Sequence, residues 1–83
     1  MEYELTQHAA KMMAERELAV EWLERALNAP EGTAPDPMDP ALEHRFVRIP
    51  EFGGRMLRVI VNKETMPFRV VTAYFDRSMR GKS

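Results

Sequence analysis

Four arginines, Arg48, Arg58, Arg77 and Arg80, and two histidines, His8 and His44, are the side chains in this sequence best suited to chemistry. Cutting RNA asks for modest equipment. Cations must hold the phosphate and stabilise developing charge, and one group must move the 2′-hydroxyl proton. The arginines meet the first need, and His44 or His8 meets the second, since imidazole titrates near working pH. Tyr74 adds a phenol that can take part in proton transfer. The same set also suits a basic sheet face that binds RNA without cutting it. His8 has a plainer reading too, as a hydrogen-bonding residue that joins a helix to a sheet.

Several other chemistries are excluded or left without residues. The chain has no Cys, which rules out disulfides, thiolate metal sites and a Cys nucleophile. Two histidines far apart in sequence give no metal-ligand spacing, so no metal is expected. No glycine-rich phosphate loop and no paired-carboxylate signature occurs, and no cofactor is expected. No apolar run approaches the roughly 20 residues a membrane helix needs. The acidic start, Glu2 and Glu4, is the opposite of a signal peptide, so a cytoplasmic protein with no membrane partner is expected. At 83 residues the chain makes a single domain over 1–83, marginal enough in stability that a homodimer would help.

Charge is divided along the chain. Residues 1–43 carry ten acids and three bases, a balance of −7, and residues 44–83 carry nine bases and three acids, a balance of +6. Such polarity steers anionic partners even when the total nearly cancels. The alternative is that the halves fold onto each other and the charges neutralise in place.

The elements that must position these residues follow from periodicity. Arg55–Asn62 alternates Leu57, Val59 and Val61 against Met56, Arg58 and Ile60, and apolar groups on both faces mark a central strand. Phe68–Phe75 is its hairpin partner, and His44–Ile49 is the strand before it. Pro50–Gly54 is a turn whose two glycines permit positive φ. Upstream, Thr6 is the N-cap of a helix over 7–16, the chain breaks around Arg16–Leu18, and a second helix covers 20–28. Four prolines in residues 29–42 predict a loop that neither coils nor pairs. The sheet then covers 43–76 and a basic tail 77–83. The reading is an α+β fold, a helical hairpin packed on a three-stranded antiparallel meander, with Tyr3–Leu5 available as a fourth strand.

Against the helices this pattern places Val47, Ile49, Leu57, Val59, Val61, Val71, Ala73 and Phe75. The other face shows His44, Phe46, Arg48, Arg58, Ile60, Val70, Thr72 and Tyr74. Arginines beside aromatics on an uncovered face suit a nucleic acid or a protein partner.

From Thr6 to Leu18 the chain resembles a family of small bacterial proteins of unknown function. Their start reads roughly T-x-H-A-x-x-x-M-x-E-R-G-I and is followed by L-R-V-V-x-N and V-V-T-x-Y-x-x-R. The matching positions here are His8, Ala9, Met13, Glu15, Arg16, Leu57–Val59, Asn62, Val70–Thr72, Tyr74 and Arg77. More distantly the chain is similar to the RelE, ParE and BrnT toxins, a helical hairpin on an antiparallel sheet. The resemblance implies a ribonuclease of a toxin–antitoxin pair, neutralised by a small antitoxin-like protein, with His8, Arg16, Thr72 and Arg77 as marked residues. Two positions depart from the pattern. Glu17 replaces the glycine that makes a left-handed turn, and Ala19 replaces the serine that caps the second helix. The competing function is a non-catalytic interaction module that pairs through Phe46, Ile60 and Tyr74 or through a strand edge.

Overall fold

Thr6 begins the first helix, as its side chain predicts. In the computed structural model of the chain, which describes residues 2–79, the Thr6 hydroxyl accepts from the Ala9 amide at 3.0 Å. Helix α1 covers Gln7–Glu15 and buries Ala9 and Met13, while Ala10 and Ala14 stay exposed. It closes on Arg16 with two backbone bonds: Leu18 N donates to Met13 O at 2.9 Å and Glu17 N to Ala14 O at 3.3 Å. That pair is the Schellman ending, which needs a left-handed residue between cap and core. Glu17 supplies it, with φ of 52°. The missing glycine therefore does not open the turn. Two hydrogen bonds and the burial of Leu18 outweigh the roughly 1–2 kcal/mol that a left-handed L-residue costs.

Helix α2, Val20–Asn28, starts at Ala19 with no side-chain cap. It buries Leu23, Ala26 and Leu27 and leaves Val20 exposed. Arg25 does not settle on Glu21, its i,i+4 neighbour; it forms a two-bond pair with Glu51 at 3.0 and 2.8 Å. That pair ties α2 to the 3-10 turn Pro50–Phe52.

The sheet has five strands: β1 Tyr3–Leu5, β2 Gly32–Pro35, β3 Leu42–Ile49, β4 Arg55–Asn62 and β5 Phe68–Phe75. Their order is β1-β5-β4-β3-β2, so β4 is central as expected. Two features correct the predicted three- or four-stranded antiparallel sheet. First, β1 runs parallel to β5. Nearly the whole chain separates the two strands, so no tight turn forces them antiparallel. Second, the proline-rich stretch does pair. Gly32–Pro35 lies along β3 as an edge strand, and Pro35 takes its last position, where a missing N–H is tolerated.

Helices α1 and α2 cover one face, with the core formed by Val47, Ile49, Leu57, Val59, Val61, Val70 and Ala73 under Leu23 and Leu27. Here β5 departs from simple alternation. Ile60 faces Thr72 and Val61 faces Val70, so Val71 is an extra residue, a β-bulge. Val70 is therefore fully buried and Val71 only half-buried, the reverse of the expected pair.

The two imperfect ends between the helices are open to repair. Ala19→Ser is expected to raise the unfolding free energy in urea by about 1 kcal/mol by capping α2. Glu17→Gly is expected to raise it by about 0.5–1 kcal/mol by relieving the left-handed residue.

Candidate functional site: the open face of the sheet

Neither helix lies on the second face of the sheet. Register sets its side chains in two cross-strand rows. One runs Ala34, His44, Ile60, Thr72; the next runs Gly32, Phe46, Arg58, Tyr74. The Phe46 ring lies over Gly32, where a Cβ would come within 2.5 Å of it. The Arg58 guanidinium stacks on the same ring, 5.2 Å from its centroid. Only glycine leaves room for that stack.

His44 and Arg58 are the centre of a connected polar group. Arg58 Nη1 donates to His44 Nδ1 at 3.0 Å. A guanidinium has no acceptor, so Nδ1 must be the bare nitrogen and Nε2 must carry the hydrogen. Nε2–H meets Asp36 Oδ1 at 2.7 Å. On the other side Arg58 Nε donates to Asp76 Oδ2 at 2.7 Å. The side chains of Asp36, His44, Arg58 and Asp76 are only 12–17% exposed.

Both carboxylates are braced from elsewhere. Asp36 Oδ2 accepts from the Met38 and Asp39 amides, each at 3.0 Å, in the loop between β2 and β3. The His44 hydrogen bond and these amides hold its pKa below the usual carboxylate value. Asp76 Oδ1 accepts from the Ser78 hydroxyl and amide, and these, with Arg58, hold its pKa low as well.

The far end of the His44 row carries the other histidine. His8 Nε2 lies 3.2 Å from Thr72 Oγ1, joining the first turn of α1 to the open face. Two strand spacings, about 10 Å, separate Thr72 from His44 along the row. His8 and His44 thus flank Ile60 without touching.

The remaining expected residues are distributed around this face. Tyr74 stands opposite Arg58. Arg48 Nη1 donates to Gly54 O at 3.2 Å, and its amide donates to Glu31 Oε2 at 2.8 Å. Arg77 is exposed in the 3-10 turn Arg77–Met79 that follows β5. Arg16 is exposed at the opposite end of α1 from His8, about 12 Å along the axis. Arg16 therefore does not join the group; the helix that carries it points it away. Arg80 lies outside the described residues. Sequence reasoning missed Asp36, Asp76, Ser78 and Gly32. Asp36-Pro37 reads as a turn start, but its reach to His44 depends on β2 pairing with β3. Among the described residues no cluster of three or more His, Asp or Glu could hold a metal ion. No described helix is long and apolar enough to cross a membrane.

The chain belongs to the family described as Domain of unknown function (DUF4258), whose pattern matches residues 5–75. The match takes in His8, Asp36, His44, Arg58 and Thr72 and stops one residue short of Asp76. No curated protein and no solved structure matches the chain, and no similarity to the RelE-type toxins emerges.

The lowered carboxylates give a pH signature. A depressed pKa adds stability that is present above the unfolded value, near 4, and is lost as pH falls through the folded value. Glu51, pushed down to about 2 by its hydrogen bonds from Arg25, acts in the same direction. Urea unfolding is expected to be level down to about pH 4–5 and to weaken below it. In Asp36→Asn and Asp76→Asn this acid-side loss should be smaller than in the parent chain.

Proposed function

We propose that this protein is a toxin-like RNA-binding protein that acts in the bacterial cytoplasm, with a small antitoxin-like protein covering its open face. One observation carries the reading. An imidazole and a guanidinium lie 3.0 Å apart on the sheet face opposite α1 and α2. Phe46 and Tyr74 flank them as cross-strand neighbours of Arg58. Aromatic rings give bases a stacking surface that tolerates any sequence, and guanidinium groups track the backbone phosphates. Arg48 and Arg77 extend the cationic line toward the Gly54 turn and past the end of β5.

A second reading rests on a different observation. Among the described residues, strands β1 and β2 are the outer strands of the sheet, and each leaves one row of backbone groups without a strand partner. Such edges pair with other chains. In that case the protein is an interaction module, a homodimer or one half of a hetero-pair, and Phe46, Ile60 and Tyr74 are contact surface.

Filter retention of labelled single-stranded RNA tests the first reading. With about three phosphates neutralised, log Kobs should fall with log salt at a slope of about −2, and Arg48→Ala should make the slope shallower. Absence of retention at low salt would overturn it. Sedimentation tests the second: a mass that rises with concentration is expected of a homodimer, and a constant monomer mass counts against it.

A further inference from the structure

At the end of the sheet where β4 begins and β5 finishes, a small cavity lies apart from the His44 group and shares only Asp76 with it. Arg55, Met56, Phe75, Asp76 and Arg77 line it. Met56 is buried and Phe75 half-buried, so the deeper wall is apolar, while Arg55 and Arg77 are exposed at the rim. The acids at this end already have donors. Glu51 takes two hydrogen bonds from Arg25, and Asp76 takes Arg58 and Ser78. Among the described residues no carboxylate pairs with Arg55 or Arg77, so the rim carries two surplus positive charges. Arg55 is also held in place. Its guanidinium lies 5.0 Å from the centroid of the Phe52 ring, which meets Phe75 at 4.8 Å and Trp22 at 5.6 Å. A guanidinium stacked by its face keeps its N–H fork available at the edge.

We propose that this cavity binds a carboxylate carried on a short aliphatic group, its oxygens at Arg55 and Arg77 and its aliphatic tip against Met56 and Phe75. Size sets the tip. The enclosed space is about 20 Å³, where one water needs roughly 10–15 Å³. That admits a methyl or isopropyl group and excludes a nucleobase. The apolar wall sets the acid. A carboxylate meets a guanidinium with two parallel N–H···O bonds and has carbon directly behind its oxygens. A phosphate has oxygen on every side and would turn one acceptor, unpaired, toward Met56 and Phe75. Two sources carry the required chemistry: a free short-chain acid, and the C-terminus of a peptide that ends in a small aliphatic residue. Outside the rim Phe52 is 41% exposed beside Trp22, a surface on which the preceding residues of a peptide can lie. The proposal does not rest on the RNA reading, with which it has Arg77 in common.

Trp22, the single tryptophan of the chain, stands in the ring cluster and reports on the site by its fluorescence. The probes are isovalerate, acetate, an acetylated Gly-Ser-Gly-Val peptide with a free C-terminus, and the same peptide amidated. Isovalerate and the free peptide are expected to give saturable shifts of Trp22 emission and of the Arg55 and Arg77 side-chain nitrogen resonances. Tighter binding of the peptide names a peptide C-terminus as the source; equal binding shows that the free acid suffices. Acetate should bind more weakly than isovalerate, because it lacks the tip that fills the cavity. Arg55→Gln and Arg77→Gln, both at exposed positions, should each weaken binding about 5- to 20-fold. Arg55→Lys should also weaken it, since an ammonium has no fork, whereas Lys11→Gln on α1 should not. No saturable shift with either carboxylate, amide binding as tight as that of the free peptide, or an equal loss in Lys11→Gln overturns the proposal. Single-stranded RNA that shifts these resonances where neither carboxylate does gives the surface to nucleic acid and overturns it too. The comparison of free and amidated peptide uses the parent chain and decides the matter even if a variant fails to fold.

Discussion

One threonine at an irregular point of the sheet sets the geometry of the whole domain. At the bulge, Val71 loses its partner on β4, and its carbonyl needs another donor. Thr6 provides it. Its hydroxyl donates to Val71 O at 3.1 Å and accepts from Ala9 N, and its own amide donates to Val70 O at 3.0 Å. A single residue thus ends β1, starts α1 and satisfies the broken ladder. The helix start follows, because an N-cap fixes where the first turn begins. So does the pairing of His8 with Thr72, each lying just beyond the junction on its own strand of chain. Removing the hydroxyl would strand a half-buried carbonyl and uncap a helix at once, so the two losses would not be independent.

The polar group on the open face is built on the same logic of satisfied partners. Burying charge is costly unless each polar atom finds a partner. Arg58 lies between two acceptors, and each flanking carboxylate oxygen faces a donor. Among the described residues no buried side-chain nitrogen or oxygen lacks a hydrogen bond. The order of the group matters as much as its charge. Asp36 comes from the loop after β2, His44 from β3, Arg58 from β4, and Asp76 from the end of β5. Four connected segments of chain therefore agree on one arrangement, and a change in any strand register would break it. On the covered face Arg45 plays a quieter part: its Nη1 donates to Leu27 O at 2.6 Å, near the C-terminus of α2. There a cation meets carbonyls that the helix leaves unpaired.

Local rules made much of this legible. Thr6 as a cap, the ends of α2 at Asn28, the central place of Arg55–Asn62 and the positive φ of Gly53 and Gly54 all follow from propensity and period. What escaped depends on long-range pairing. Valines stand on both sides of the Val70–Val71 bulge, so the sequence carries no mark of the slipped residue. β2 was hidden because Pro30 precedes it and Pro35 is its last residue, and only an edge strand tolerates a proline there. The parallel β1 reflects a partner more than sixty residues away. For the site, residue type pointed to His44, Arg58 and His8, and the family resemblance to His8 and Thr72, while the acids that orient them looked like loop solubility. Asp36 and Asp76 acquire their meaning only once the strands bring eight- and eighteen-residue separations into hydrogen-bond range.

The divided charge of the chain takes on a more exact sense in the fold. Arg25–Glu51, Arg45–Glu43, Lys63–Glu43, Arg69–Glu4 and the His44–Asp36 contact all join an acid or base of one half to the other half. Neutralisation in place is thus real, and bulk positive potential is not what the open face offers an anion. Around Arg58 two carboxylates accompany one guanidinium, which weakens long-range attraction. What the face offers is short-range and directional: a planar donor stacked on a ring, with one of its N–H groups already given to His44 Nδ1. Charge held in that way discriminates by geometry, because a ligand gains only where its oxygens replace the donors' present partners.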